Sequence, residues 1–558
     1  MKKKLIFGLA MICILAIAMT GCGSSNEDPL KADCHNGVMV GQEEEDGVIS
    51  FLGVPYATPP VGDLRWKAPV AAEESDEEII CDEFGDTALQ YEWPTEPASY
   101  YEKSEDCLTL NIWKGKDAGD DPKAVMVWIH GGAHSWGGTT DPSYNAHNFV
   151  AAHPDVIFVT INYRLGMMSW ADFSDIPGGE DYTDINLGLR DNIMALEWIQ
   201  QNIASFGGDP DNVTLLGESA GGGSAIALLM SPLTEGLFNK VIAESGSTST
   251  SADGVFNKVT KEEGTVGPYV ASRDDAKAYA KEIADAAGCE TMDELLELSA
   301  EDLMELDWDY GLGDLSCALV ADGEVLPYPE DMADALKAAA ERGVKFMHGT
   351  NADEWNYFMT DSDGDTDEEK FDSWKSDLDD MWDSWYEDSD NQTLMDEFYE
   401  LEAANIDEEY AKDSELKDAL IKSAFRTEQW RYSHIQLADV YSEAGGEQYT
   451  YLWNIPSSKD KYYKSACHAI ELAFVFNNTD DDAYAGTNLD ETSVERTHTA
   501  WANFAKTGNP SIDDADWQVY DSSDRNTMMI ELDGWKIESD PDSRQREIVE
   551  EILGPLYR

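Results

Sequence analysis

An apolar run over residues 212–216 passes directly into Gly217-Glu218-Ser219-Ala220-Gly221-Gly222, and a plausible helix occupies 222–230. No other stretch constrains the fold as much as this junction. A serine hydroxyl is a poor nucleophile until a base removes its proton. A sharp strand-to-helix turn lifts that hydroxyl clear of the backbone, and the helix N-terminus favours the negative charge that develops beside it. Glycines at 217 and 221 leave room for the two backbones to crowd together at such a turn. The reading is therefore a buried strand, a nucleophile at Ser219, and a helix behind it.

The rest of the chain supplies more strands of the same kind. Continuous apolar or aromatic runs occur at 123–130 (KAVMVWIH), 155–164 (DVIFVTINYR), 240–243, 344–348 and 448–455 (QYTYLWNI). Runs without alternation suit strands covered on both faces. Between them, 187–203 (LGLRDNIMALEWIQQNI) carries apolar residues at helical spacing. Strands alternating with helices predict an α/β fold: a large, mostly parallel central sheet flanked by helices. No second domain boundary and no internal repeat breaks residues 37–558.

Acyl transfer also needs backbone N–H donors aimed at the oxygen that becomes negative. His130-Gly131-Gly132-Ala133 follows the strand at 123–130. The N–H groups of Gly132 and Ala133, with that of Ala220 beside the nucleophile, are the expected oxyanion donors. His130 and His134 are expected to be structural or pocket-lining, because the base belongs late in a chain of this topology. Four histidines follow Ser219. His348 sits in a strand-like run, and His434 and His498 sit in helical stretches. His468 falls in a loop after the strand at 448–455 and is the expected base. Residues 349–354 (GTNADE) follow another strand, so Asp353 or Glu354 is positioned to orient the imidazole; composition does not choose between them.

The N-terminus reads as an export address. Lys2, Lys3 and Lys4 precede a short apolar run over 5–19, too short to span a bilayer. Residues 1–21 are the expected signal peptide. Small residues before Cys22 and a polar stretch after it resemble the lipobox of bacterial lipoproteins, which implies lipid on Cys22. Residues 22–36 are the expected flexible tether. The product is expected at the cell surface as a lipoprotein, otherwise secreted, and membrane contact is expected only through that anchor. Acidic residues number 112 against 38 basic ones, a formal net charge of −74. That balance excludes a nucleic-acid partner, which needs clustered Lys and Arg. Residues 361–409 are very acidic and hold Trp374, Trp382 and Trp385; helices with solvated acidic faces and buried tryptophans are expected. Asp361, Asp363 and Asp365 imitate a calcium loop, but Thr366 and Asp372 fall where that loop needs Gly and Glu. No metal site and no cofactor are expected.

Taken together, these stretches resemble the type B carboxylesterase family, which includes the cholinesterases. Residues 51–69 (FLGVPYATPPVGDLRWKAP), 104–113 (SEDCLTLNIW), 206–223 (FGGDPDNVTLLGESAGGG) and 501–510 (WANFAKTGNP) are similar to its signatures. The resemblance implies an α/β-hydrolase fold and a serine hydrolase of carboxylic esters acting on a small-molecule substrate. It implies Ser219 as nucleophile, His468 as base, Glu354 rather than Asp353 as the acid, and Gly132, Ala133 and Ala220 as oxyanion donors. Glu218 is expected in a supporting role. Disulfides Cys81–Cys107 and Cys289–Cys317 are implied, with Cys34 and Cys467 left over. Three positions depart from the family pattern: Trp355 replaces a Gly, His134 an aromatic residue, and Asn477 a common Gly. Trp93 lies near where cholinesterases keep a choline-stacking Trp, with different neighbours. Non-catalytic adhesion relatives are the alternative, as is a specialised lipase or feruloyl esterase.

Overall fold

In the computed structural model the described residues are 28–556, apart from 91–101, 118, 120, 247–269, 310–318, 361, 363, 365, 480–482 and 488. The signal and lipid-anchor region, Trp93, Cys317 and the three calcium-loop aspartates lie outside them.

Eleven strands form the central sheet. In chain order they are β1 (Gln42–Glu43), β2 (Val48–Pro55), β3 (Thr109–Gly115), β4 (Lys123–Ile129), β5 (Val156–Ile161), β6 (Gly208–Glu218), β7 (Lys240–Glu244), β8 (Lys345–Asn351), β9 (Gln448–Trp453), β10 (Asn526–Ile530) and β11 (Lys536–Ser539). Their spatial order is β1-β2-β3-β5-β4-β6-β7-β8-β9-β10-β11. Strands β5 through β10 pair in parallel, while β1, β2, β3 and β11 add antiparallel edges. The sheet continues past β9 into β10 and β11, whose short, half-polar sequences, NTMMI and KIES, give no apolar run.

All seven residues of β4 and all six of β5 are buried. Their side chains alternate between two cores. Val125, Val127 and Ile129 join one face, and Met126 and Trp128 the other. That two-sided burial explains the unbroken apolar runs. Helices α1 (Leu187–Asn202), α2 (Ala220–Met230), α3 (Asp367–Tyr386), α4 (Gln392–Asn405), α5 (Ser414–Glu443), α6 (Glu491–Thr507) and α7 (Ser543–Leu553) supply much of the cover. The acidic segment behaves as expected. Thr366 caps α3 through a capping box with Glu369, and Trp374, Leu378, Met381, Trp382 and Trp385 are its buried stripe. The acidic side chains point away from that stripe.

Two expectations are corrected. Lys31–Cys34, placed in the tether by its small polar surroundings, is a strand paired antiparallel with Gly37–Val40. The His35 amide donates to Asn202 Oδ1 at 2.8 Å, tying this hairpin to the end of α1. Cys81 and Cys107 are free rather than bonded to each other, as are Cys34, Cys289 and Cys467. The two thiols occupy different surroundings: Cys81 Sγ lies 3.8 Å from Met39 Sδ, whereas Cys107 is shut in where the Arg164–Asp191 pair bears on it. Among the described residues no helix is long and apolar enough to cross a membrane.

Candidate active site

Strands β6, β8 and β9 end at the same edge of the sheet, where side chains leaving parallel strands converge. Ser219 follows β6 with φ 55° and ψ −124°. A non-glycine residue there is strained, and its neighbours hold it in place. The Ser219 amide donates to the Glu244 carbonyl at 2.9 Å, and the Gly223 amide donates back to the Ser219 carbonyl at 2.8 Å. A Cβ at Gly221 would stand 2.0 Å from the Ile129 carbonyl oxygen, so only glycine fits between β4 and the start of α2.

Glu354 leaves β8 one turn beyond its end and is fully buried. Three donors converge on its carboxylate. His468 Nδ1 donates to Oε2 at 2.6 Å, and Ser245 Oγ and the Asn351 amide donate to Oε1 at 2.6 and 2.7 Å. Such charge-assisted bonds fix both the tautomer and the tilt of the ring. Asp353, one residue earlier, turns the other way: its Oδ2 accepts from the Ala466 amide at 3.1 Å. The segment after β9 is thereby stitched to the segment after β8. The Asp353 amide donates to the Ala466 carbonyl at 3.0 Å, and Asn351 Nδ2 donates to the Cys467 carbonyl at 2.9 Å. These bonds deliver His468 to Glu354 from 114 residues away.

The other ring nitrogen, His468 Nε2, lies 3.1 Å from Glu218 Oε1, on the residue before Ser219. Burial disfavours the imidazolium, but the carboxylates of Glu218 and Glu354 outweigh it and push the His468 pKa up. Burial pushes Glu218 up as well, against the pull of His468. The ring is walled by aromatics. Trp430 and Phe358 have centroids 4.9 and 5.7 Å from it, and Trp355 packs 4.5 Å from Phe358. Trp355, which replaces a Gly in the family pattern, thus enlarges this wall.

The Gly132–Ala133 turn faces the elbow. A Cβ at the preceding Gly131 would lie 3.2 Å from Ser219 Cβ. Gly132, Ala133 and His134 run consecutively at φ 97°, 49° and 57°, a strained left-handed stretch. Ala220 is the first residue of α2, so its N–H has no acceptor within the helix. His134 Nε2 lies 3.0 Å from Ser224 Oγ, and His130 packs 4.5 Å from Tyr163; both are buried within the fold. Burial lowers the His130 pKa to about 4, so it stays neutral. His348, His434 and His498 lie on β8, α5 and α6; His434 stands 3.1 Å from His348, ring nitrogen to ring nitrogen, close enough for the Glu354 charge to bear on it, whereas the bond to the Glu354 carboxylate is made by His468. Asn477 has φ 59°, which accounts for the glycine common there.

Sequence reasoning missed Ser245, Asn351, Glu244, Glu471 and Trp430. Glu244 ends β7, Ser245 follows it directly, and Glu471 follows His468 by three residues. Such positions become informative only once the strand ends are known to meet.

The chain is similar to known proteins over most of its length. The model of the carboxylesterase family matches residues 29–548. A para-nitrobenzyl esterase of Bacillus subtilis (strain 168) is 33% identical over 521 residues, covering 90% of this chain and 95% of that protein. A liver carboxylesterase of Sus scrofa is 32% identical over 525 residues, covering 86% and 84%. A crystal structure of a carboxylesterase from Geobacillus stearothermophilus superposes with a TM-score of 0.74 at 28% identity, covering 93% of this chain and 99% of that one. With an α/β-hydrolase sheet and these relatives, the chain belongs to the carboxylesterase family and is a carboxylic ester hydrolase.

Proposed function

We propose that Ser219, His468 and Glu354 carry ester hydrolysis through an acyl-enzyme. One observation supports this above the rest. His468 is bonded to Glu354 through Nδ1 and turns Nε2 towards the residue adjoining a serine held at φ 55°. Ser219 Oγ attacks the ester carbonyl while His468 Nε2 takes its proton. The carbonyl oxygen becomes negative and accepts from the N–H groups of Gly132, Ala133 and Ala220. The C–O bond to the alcohol breaks, and His468 returns the proton to the departing oxygen. Water then attacks the acyl-serine and gives its proton to His468; the acyl C–O bond breaks, His468 passes the proton to Ser219 Oγ, and the acid leaves. Glu354 stabilises the imidazolium at each step. Glu218 supports it from the other side.

The names of the relatives make para-nitrobenzyl and short p-nitrophenyl esters the natural probes. Ser219→Ala is expected to lower kcat by about 10⁴-fold or more and to abolish labelling by a fluorophosphonate, with circular dichroism unchanged. Labelling or wild-type turnover in that variant would remove Ser219 from the mechanism. The lysine start, the short apolar run and Cys22 support export as a surface lipoprotein. Labelled palmitate is expected in the wild type and absent from Cys22→Ala.

A further inference from the structure

A buried row of side chains crosses the sheet beneath His468. Glu218 on β6 is in register with Glu244 on β7, Glu244 with Gly349 on β8, and Gly349 with Tyr451 on β9. Register partners on adjacent parallel strands share a face of the sheet. Gly349 leaves a gap in the row, and the Tyr451 ring lies across it: a Cβ at Gly349 would stand 2.5 Å from Tyr451 Cγ and Cδ2. Glu218 and Tyr451 are each 2% exposed and Glu244 is 0% exposed. On α6, Trp501 Nε1 donates to Glu244 Oε1 at 2.8 Å, and the Tyr451 and Trp501 rings lie 5.5 Å apart.

The remaining polar atoms in this region do not balance. Glu244 Oε2, Glu471 Oε1, Asn351 Oδ1 and Tyr451 Oη are buried and have no hydrogen-bond partner among the described residues. Glu218 Oε1 has no such bond either, despite lying 3.1 Å from His468 Nε2. With every carboxyl ionised, the Tyr451 hydroxyl is the one donor in a group otherwise made of acceptors. Protonating one carboxyl turns an acceptor into a donor. Glu244 is the member best placed to carry that proton. Glu354 already accepts three donors, and Glu218 faces an imidazole. Glu471 Oε2 accepts from Asn351 Nδ2 at 2.6 Å. Glu244 has only the indole N–H. The groups that bear on it are Glu471 after β9, Trp501 on α6, Glu218 on β6 and Tyr451 on β9, and none is cationic, whereas His468 bears on Glu471. Burial, then the nearby Glu471, hold its carboxyl well above the usual carboxylate range against the Trp501 bond.

We propose that Glu244 is a positioning residue of the reaction: it stays protonated at neutral pH and, with Tyr451, Glu471 and Asn351, forms the polar floor that holds Glu218 as the carboxylate facing His468 Nε2. The inference rests on His468 being the base. An anionic Glu244 beside Glu218 would repel it and add a second negative charge near the imidazole. That would raise the proton affinity of a group that must be neutral to accept from Ser219.

The test is an infrared difference spectrum of wild type against Glu244→Gln at pH 7, with pH profiles of kcat/KM. The carbonyl stretch of a protonated carboxylic acid is expected in the wild type and lost in Glu244→Gln. Tyr451→Phe is expected to shift that band by changing its hydrogen-bond partner. Glu244→Gln is expected to keep the acid limb in place and to retain the activity that Glu244→Ala loses, about tenfold. A band that neither Glu244→Gln nor Tyr451→Phe alters overturns the proposal. So does an acid limb that falls by about one pH unit or more in Glu244→Gln, as removal of an anion requires. Fluorophosphonate labelling of Ser219 reports separately on the triad reading, because the infrared band does not depend on turnover.

Discussion

Replacing Glu218 with Gln removes a charge from one side of the proposed base and leaves its shape. Glu218 Oε1 stands 3.1 Å from His468 Nε2, with the two side chains 3% and 5% exposed. At that separation two unit charges interact by about 5 kcal/mol with an effective dielectric constant of ~20. Part of this is offset because the carboxylate itself is costly to bury and Glu218 is drawn towards its neutral form. Opposite charges this close generally shift a pKa by about one to three units. The sign follows from the mechanism. His468 accepts a proton only when neutral, so kcat/KM falls as pH drops through its pKa. Glu218 raises that pKa, and Glu218→Gln must therefore move the acid limb to lower pH. The assay is kcat/KM on a short p-nitrophenyl ester from acid to mildly alkaline pH, corrected for spontaneous hydrolysis. We expect a downward shift of about one to three units, with kcat at the plateau reduced because the imidazolium has lost a partner. An unchanged acid limb, or one that moves upward, would refute the electrostatic reasoning, since no arrangement of a favourable carboxylate gives that sign.

Two further outcomes follow from the same geometry. Ser245→Ala deletes the hydroxyl that donates to Glu354 Oε1 at 2.6 Å; a hydrogen bond to a buried charge contributes about 1.5–3 kcal/mol. We expect kcat/KM to fall about 10- to 100-fold with KM little changed, and a wild-type kcat would show that Ser245 does not orient the acid. Away from the site, His153 Nε2 and His498 Nδ1 lie 2.7 Å apart, and burial lowers both pKa values to about 4. A depressed histidine contributes stability that is present above its unfolded pKa near 6.5 and is lost as pH falls towards 4. The stability advantage of wild type over His498→Gln in urea unfolding should therefore shrink across that interval; a constant difference would exclude the linkage.

Much of this protein was written locally. The elbow at 217–222 needs only a strand, two glycines and a helix. The unbroken apolar runs at 123–130 and 155–164 announced strands buried on both sides, and they are. The stripe of Trp374, Trp382 and Trp385 marked a helix face within an acidic segment. Each of these signals lies within one element, where the spacing of side chains follows directly from backbone period. Short or half-polar elements were harder. The hairpin at Lys31–Cys34 and strand β10 are held by partners far along the chain, and their own residues do not announce them. Residues alone left Asp353 and Glu354 equal, because both follow the same strand and only the resemblance chose between them. In three dimensions Asp353 ties down the Ala466 backbone while Glu354 faces the imidazole. Glu244, Tyr451 and Gly349 came together through strand register alone. Sequence sets what each segment is able to become. Which carboxyl meets which ring, and which buried acid must keep its proton, depends on burial and register between distant strands, and these exist only after the chain has folded.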